Sequence, residues 1–332
     1  MTDGLKVIST FRFSPESLEQ LREVAGTDVL CITNTDEFRT RLKEAEILCA
    51  YWLPNDWREL APNLCWLQCS GAGVDGLQPT GILNADSGVI VTTAVGINTI
   101  PIGEYVFGSM LMFNRTWAEM VRLQDKHIWP RSINWYHLGG SELADKTLGI
   151  VGLGSIGRRV AQLGHAFGMR VLATRRSVQE SDTKNTGNTD PDVDQLYPTT
   201  HLHDMLRESD YIVLCVPLTP DTHNMIGEAE LHAMKSSAYL VNIARGHVID
   251  EPMLIRALQE GWIAGAGLDV AQEEPLPANS PLYTMPNVML TPHISGVSNR
   301  YDERLTALFA DNLRRYRQGE PLRNRYEPER GY

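Results

Sequence analysis

The stretch Leu148-Gly149-Ile150-Val151-Gly152-Leu153-Gly154-Ser155-Ile156-Gly157 decides how the rest of this chain is read. Leu148 to Val151 is an apolar run of strand length. A G-x-G-x-x-G spacing follows at once and opens a helical pattern with Ile156, Val160, Leu163 and Phe167 on one face. Such a spacing alone is weak, but between a strand and a helix it has a mechanism. The glycines permit a tight turn and close backbone approach, so a dinucleotide pyrophosphate can rest on the helix N-terminus, where free N–H groups and the dipole favour negative charge. Gly152, Gly154, Ser155, Ile156 and Gly157 are the first candidate cofactor contacts.

The next strand pattern, Met169 to Thr174, ends where a dinucleotide fold places the residue that reads the adenosine ribose. An acid there would accept the 2′-OH, but the chain has Thr174, Arg175, Arg176 and Ser177. Guanidinium forks pair bidentately with phosphate oxygens, so the segment predicts a 2′-phosphate pocket, with NADP(H) preferred and NAD(H) as the weaker alternative. A solvated arginine pair is the competing reading.

Working outward, LKVIST, DVLCIT, EILCA and CWLQCSG read as strands in the first hundred residues. Ser14 and Pro15 make an N-cap and first-turn pair for a helix with Leu18, Leu21 and Ala25 on one face. A second series runs TLGIVGLG, MRVLATR, YIVLCVP, AYLVNIA, AGAGLDV and NVMLTPH. Alternating strands and helices predict parallel sheets covered on both faces. Residues 102–126 read as one long helix, and the polar segment 177–200 as a surface excursion. With 332 residues the chain exceeds the roughly 250–300 at which one core stops growing, so two domains are expected.

A formal net charge of -11 argues against nucleic acid as a partner. No stretch approaches the roughly 18 apolar residues of a membrane span, and MTDGLKVIST lacks a signal layout, so a cytoplasmic protein is expected. The odd count of five cysteines and the unmatched Cys65/Cys69 spacing predict neither a disulfide framework nor a metal site.

The chain resembles the D-isomer-specific 2-hydroxyacid dehydrogenases. Beside LGIVGLGSIGR it carries SGAGVDGL at 70–77, CVPLTPDT at 215–222, LVNIARGHVIDE at 240–251, GLDVAQEEPLP at 267–277 and TPHISG at 291–296, in the family's order. The resemblance implies an α/β protein of two doubly wound parallel-sheet domains. These are a flavodoxin-like substrate domain (1–101 and 296–332) and a Rossmann cofactor domain (102–295), with the active site in the cleft between them. It also implies that Arg245 binds the substrate carboxylate and polarises the carbonyl, that His293 is the catalytic histidine and that Glu274 is its partner. Asp269 then holds the nicotinamide amide, Val216 and Pro217 line the cofactor, and Ala72, Gly73 and Val74 offer backbone amides to the carboxylate.

The implied chemistry suits these residue types. Hydride reduction of a 2-keto acid leaves an alkoxide needing a proton, which a histidine beside a carboxylate can deliver, and an arginine keeps its charge while gripping carboxylate and ketone oxygen. Two departures stand out. His247 stands where the family often has glycine, and Tyr51–Trp57, the family's substrate-reading loop, contains Trp52 but no Arg or Lys, which disfavours a phosphorylated substrate. The expected activity is interconversion of a 2-keto and a D-2-hydroxy carboxylate. A non-catalytic cofactor sensor on the same fold and a phosphoglycerate dehydrogenase-like enzyme stay open as alternatives. A homodimer is expected through residues 102–146, where Trp117, Met120, Trp129, Trp135 and Tyr136 concentrate.

Overall fold

Near-continuous apolar strands demand cover on both faces, and the computed structural model supplies it in two separate all-parallel sheets. It describes residues 5–130, 140–176, 190–329 and 331. Ser177, Trp135 and Tyr136 lie outside the described residues. The chain divides into two compact units, Met1–Asn98 with Val297–Tyr332, and Thr99–Gly296.

The first unit holds β1 (Val7–Ser9), β2 (Val29–Cys31), β3 (Ile47–Ala50), β4 (Trp66–Cys69) and β5 (Ile90–Thr92), in the order β2-β1-β3-β4-β5. That is the flavodoxin-like order, with its switch point between β1 and β3. The Ser14 side chain accepts from the Ser17 amide and caps Pro15–Ala25, while Asp302 accepts the Ser14 amide at 3.1 Å and the Ser17 hydroxyl at 3.0 Å. One carboxylate thus ties the returning helix Tyr301–Gln318 to the first helix.

The second unit holds β6 (Thr147–Val151), β7 (Arg170–Thr174), β8 (Gln195–Tyr197), β9 (Tyr211–Leu214), β10 (Tyr239–Asn242), β11 (Gly265–Leu268) and β12 (Val288–Leu290). Their order is β12-β11-β10-β9-β6-β7-β8. The order reverses between β6 and β9, and in open parallel sheets ligands bind beyond the strand C-termini at such a point. The glycine turn follows β6 directly.

Two sequence expectations are corrected. The long helix over 102–126 is two helices, Thr99–Asn114 and Trp117–Asp125, broken at Thr116, whose φ is +51°. The Asn114 carbonyl leaves the helical ladder to accept the Ser141 amide at 3.1 Å, and Asn114 Nδ2 donates to the Ser141 carbonyl at 2.6 Å. The polar segment 177–200 is not wholly a surface excursion, because Gln195–Tyr197 forms the edge strand β8, paired with β7. A three-residue edge strand carries too little apolar pattern to stand out from its surroundings. No helix among the described residues is long and apolar enough to cross a membrane.

Candidate active site

The three glycines after β6 do three different jobs. Gly152 adopts φ +100°, and a Cβ there would lie 2.9 Å from Val216 Cγ1 and 3.1 Å from the Cys215 backbone. Gly157 packs the helix onto the turn, since a Cβ would meet the Gly152 carbonyl oxygen at 2.4 Å. At Gly154 nothing lies within 4 Å, so the protein's own packing gives no reason for glycine there. A phosphate approaching the backbone gives one. Helix Ser155–Ala166 starts without a side-chain cap or an acidic first turn, which leaves its N-terminal amides for an anion. These residues fit a dinucleotide. Gly154→Ala should therefore leave the melting temperature near the parent's and weaken cofactor binding, whereas Gly157→Ala should lower both; thermal melts beside a cofactor titration check the contrast.

At the end of β7 the arginines are less free than the sequence suggests. Asp190, buried at 4 %, accepts two bonds from Arg158 at 2.8 Å each and one from Arg175 Nη1 at 3.1 Å. Arg158 also donates to Asp192 at 2.5 Å. Bonding from Arg158 holds the Asp190 carboxyl below the usual carboxylate range. A carboxyl lowered on folding stabilises the fold above its unfolded pKa and loses that contribution as pH falls through the folded value. Thr174 is buried, and its carbonyl accepts the Gly152 and Leu153 amides, so this residue builds the turn rather than presenting a hydroxyl. Arg176 is exposed.

Beyond β10, β11 and β12, three adjacent strands of one sheet, stand Arg245, Glu274 and His293 in turn. Parallel pairing puts all three loops on the same sheet edge. His293 Nδ1 lies 2.8 Å from Glu274 Oε2, and the other carboxylate oxygen accepts the Ala271 amide at 3.1 Å. The pair is open to solvent, at 47 % and 40 % side-chain exposure. Asn242 fixes the Arg245 turn by accepting from the Ala244 amide and donating to the Arg245 carbonyl, each at 3.0 Å, while Arg245 Nη1 donates to the Ala244 carbonyl at 2.7 Å. A cavity of about 600 Å³ bordered by Glu274 and His293 is walled largely by apolar residues such as Val270, Leu276, Tyr283 and Leu290.

Asp269 sits beneath this loop, 1 % exposed, its carboxylate accepting from Thr291 Oγ1 and the amides of Ile294 and Ser295. Val216 lies against Gly152, Pro217 is exposed in the same loop, and exposed His247 faces His223 with ring centroids 5.7 Å apart.

In the first unit, Ala72 and Gly73 are half-buried and Val74 is buried in the loop after β4. A Cβ at Gly71 would lie 2.6 Å from the Tyr51 ring. Trp52 stands edge-on to Phe38 at 5.4 Å. Two cations engage the Tyr51–Trp57 loop itself, Arg39 paired with Asp56 and Arg58 over the Trp57 ring. Sequence reading missed Arg158 and Asp190, whose meeting depends on how the polar segment returns, and Tyr105, which resembles any apolar helix residue.

A glycine turn at a switch point, with a His–Glu pair and an arginine on the same sheet edge, defines an NAD(P)-dependent oxidoreductase. The profile of the D-isomer specific 2-hydroxyacid dehydrogenase NAD binding domain matches residues 107–295. The glyoxylate reductase of Aeropyrum pernix is 34 % identical over 323 residues, covering 95 % of this chain and 93 % of its own. A D-isomer specific 2-hydroxyacid dehydrogenase of Xanthobacter autotrophicus, solved with NADPH, superposes with a TM-score of 0.81 at 27 % identity over 99 % of this chain and all of its own. The NADPH-dependent glyoxylate/hydroxypyruvate reductase of Sinorhizobium meliloti, solved with NADP and sulfate, gives 0.80 at 27 % over 98 % and 99 %. The chain belongs to the D-isomer-specific 2-hydroxyacid dehydrogenase family and is an NAD(P)-dependent 2-hydroxyacid dehydrogenase.

Proposed function

We propose that the enzyme reduces small 2-keto carboxylates, glyoxylate and hydroxypyruvate first among them, to D-2-hydroxy acids with NADPH as the preferred cofactor. The observation that carries this reading is the His293–Glu274 pair at 2.8 Å. With Nδ1–H committed to the carboxylate, Nε2 is the ring atom left to hand a proton to a developing alkoxide. The bound cofactor supplies the hydride. Arg245 offers a permanent charge and fork geometry for the substrate carboxylate and ketone oxygen. Ala72, Gly73 and Val74 are assigned the remaining carboxylate contacts, and Trp52 an apolar wall for the substrate side chain. The archaeal and Sinorhizobium relatives support the substrate class by their names. A spectrophotometric screen of keto acids against both reduced cofactors tests the whole reading, and turnover confined to phosphorylated acids would overturn it.

The cofactor preference rests on Arg175. One charge-assisted hydrogen bond to a 2′-phosphate contributes roughly 1.5–3 kcal/mol. At about 1.4 kcal/mol per tenfold, the kcat/KM ratio should favour NADPH by about 10- to 100-fold at low salt. Arg175→Asp should reverse the ratio, and equal use of both cofactors by the parent enzyme would sink the assignment.

A dimer is part of the same proposal. Trp117 and Val121 lie one turn apart at 49 % and 51 % exposure, and Trp129 is 88 % exposed, an apolar stretch that association would cover. Light scattering should give twice the chain mass at micromolar concentration, and a monomer would refute the assignment. A cytoplasmic address is supported by five free cysteines, of which Cys69 has its thiol pushed up to about 11 by burial.

A further inference from the structure

His293 holds φ at +55°, a left-handed backbone that a non-glycine residue keeps only where its surroundings over-determine it. Its amide donates to the carbonyls of Asp269 at 2.8 Å and Thr291 at 3.1 Å. The buried Asp269 carboxylate grips both flanks of the histidine. Oδ1 accepts the Thr291 hydroxyl at 2.6 Å and the Ile294 amide at 2.9 Å, and Oδ2 accepts the Ser295 amide at 2.9 Å. The single hydroxyl proton of Thr291 is thus spent on Asp269. The Tyr105 hydroxyl, 2.7 Å from Thr291 Oγ1, must therefore be the donor in that contact. Tyr105 belongs to helix Thr99–Asn114, and burial pushes its phenol up to about 12, so it stays a donor at working pH.

We propose that Tyr105 and Thr291 are positioning residues for the reaction, forming with Asp269 a one-way donor chain that locks the His293 main chain where Nδ1 meets Glu274. The inference rests on His293 being the proton donor. The chain runs Tyr105 to Thr291 to Asp269 and touches neither the pyrophosphate turn nor Arg245. Its loss leaves Asp269 held by the Ile294 and Ser295 amides, and the pyrophosphate turn and Arg245 untouched, but misaims the imidazole, so the effect falls on kcat.

Thr291→Val keeps the shape and removes the hydroxyl, Thr291→Ser restores it, and Tyr105→Phe removes only the first donor. Steady-state kinetics should give a fall of about tenfold in kcat for Thr291→Val, with KM and the cofactor dissociation constant within about twofold of the parent, and near-parent kcat for Thr291→Ser. Tyr105→Phe should lose about threefold, and the double variant Tyr105→Phe/Thr291→Val no more than Thr291→Val alone, because the two groups act in series. Parent-like kcat in Thr291→Val, or losses that simply multiply in the double variant, overturns the proposal. Should Thr291→Val fail to fold, Tyr105→Phe carries the test: a fall in kcat at constant KM supports the chain and an unchanged kcat overturns it. His293→Asn, measured alongside, separates the two levels. Inactive His293→Asn beside fully active Thr291→Val overturns the donor chain alone, whereas active His293→Asn overturns the site assignment and the chain with it.

Discussion

His293→Ala is expected to lower kcat by about 10²–10⁴-fold, the range general acid catalysis typically supplies, while cofactor affinity stays close to the parent's. The separation follows from placement. The imidazole lies beyond β12, and the pyrophosphate turn follows β6, with β9, β10 and β11 between those strands in the sheet. Glu274→Gln should show a smaller loss, since a neutral amide can still accept from Nδ1 but no longer balances an imidazolium. Single-turnover reduction with premixed cofactor isolates the step, and a His293→Ala rate within threefold of the parent would remove the residue from the mechanism.

The second large effect belongs to Arg245. Exchange for glutamine deletes the cation on which carboxylate recognition depends. Two charge-assisted bonds at roughly 1.5–3 kcal/mol each amount to about 3–6 kcal/mol, or about 10²–10⁴-fold in kcat/KM. The parent enzyme should discriminate strongly between a 2-keto acid and its methyl ketone analogue, and Arg245→Gln should narrow that gap by losing the acid rather than by gaining the ketone. Comparable efficiency of the parent on both compounds would count decisively against the assignment.

The glycine turn was legible because an apolar strand, the G-x-G-x-x-G spacing and a helical pattern follow one another directly; Gly152 and Gly157 answer local demands, a left-handed backbone and a close helix packing, whereas Gly154 faces open space. The core strands were legible for a similar reason, since both faces are buried and the apolar run is continuous. The edge strand Gln195–Tyr197 was not, being three residues long and flanked by polar sequence. The helix break at Thr116 escaped because its cause, the Ser141 amide bound to the Asn114 carbonyl, lies 27 residues away. The hold on Asp190 escaped for the same kind of reason. Arg158 stands in helix Ser155–Ala166 and Arg175 just past β7, and only the fold brings one carboxylate to both.

That shared carboxylate also constrains how the sequence can drift. An acid at position 175 would take one guanidinium from Asp190 and bring a third carboxylate beside Asp190 and Asp192, so a descendant that switches to NADH inherits a frustrated cluster. Covariation follows: among relatives, an acidic residue at 175 should travel with the loss of an acid at 190 or 192, because the single change Arg175→Asp reverses the preference at a cost in stability that the second substitution relieves.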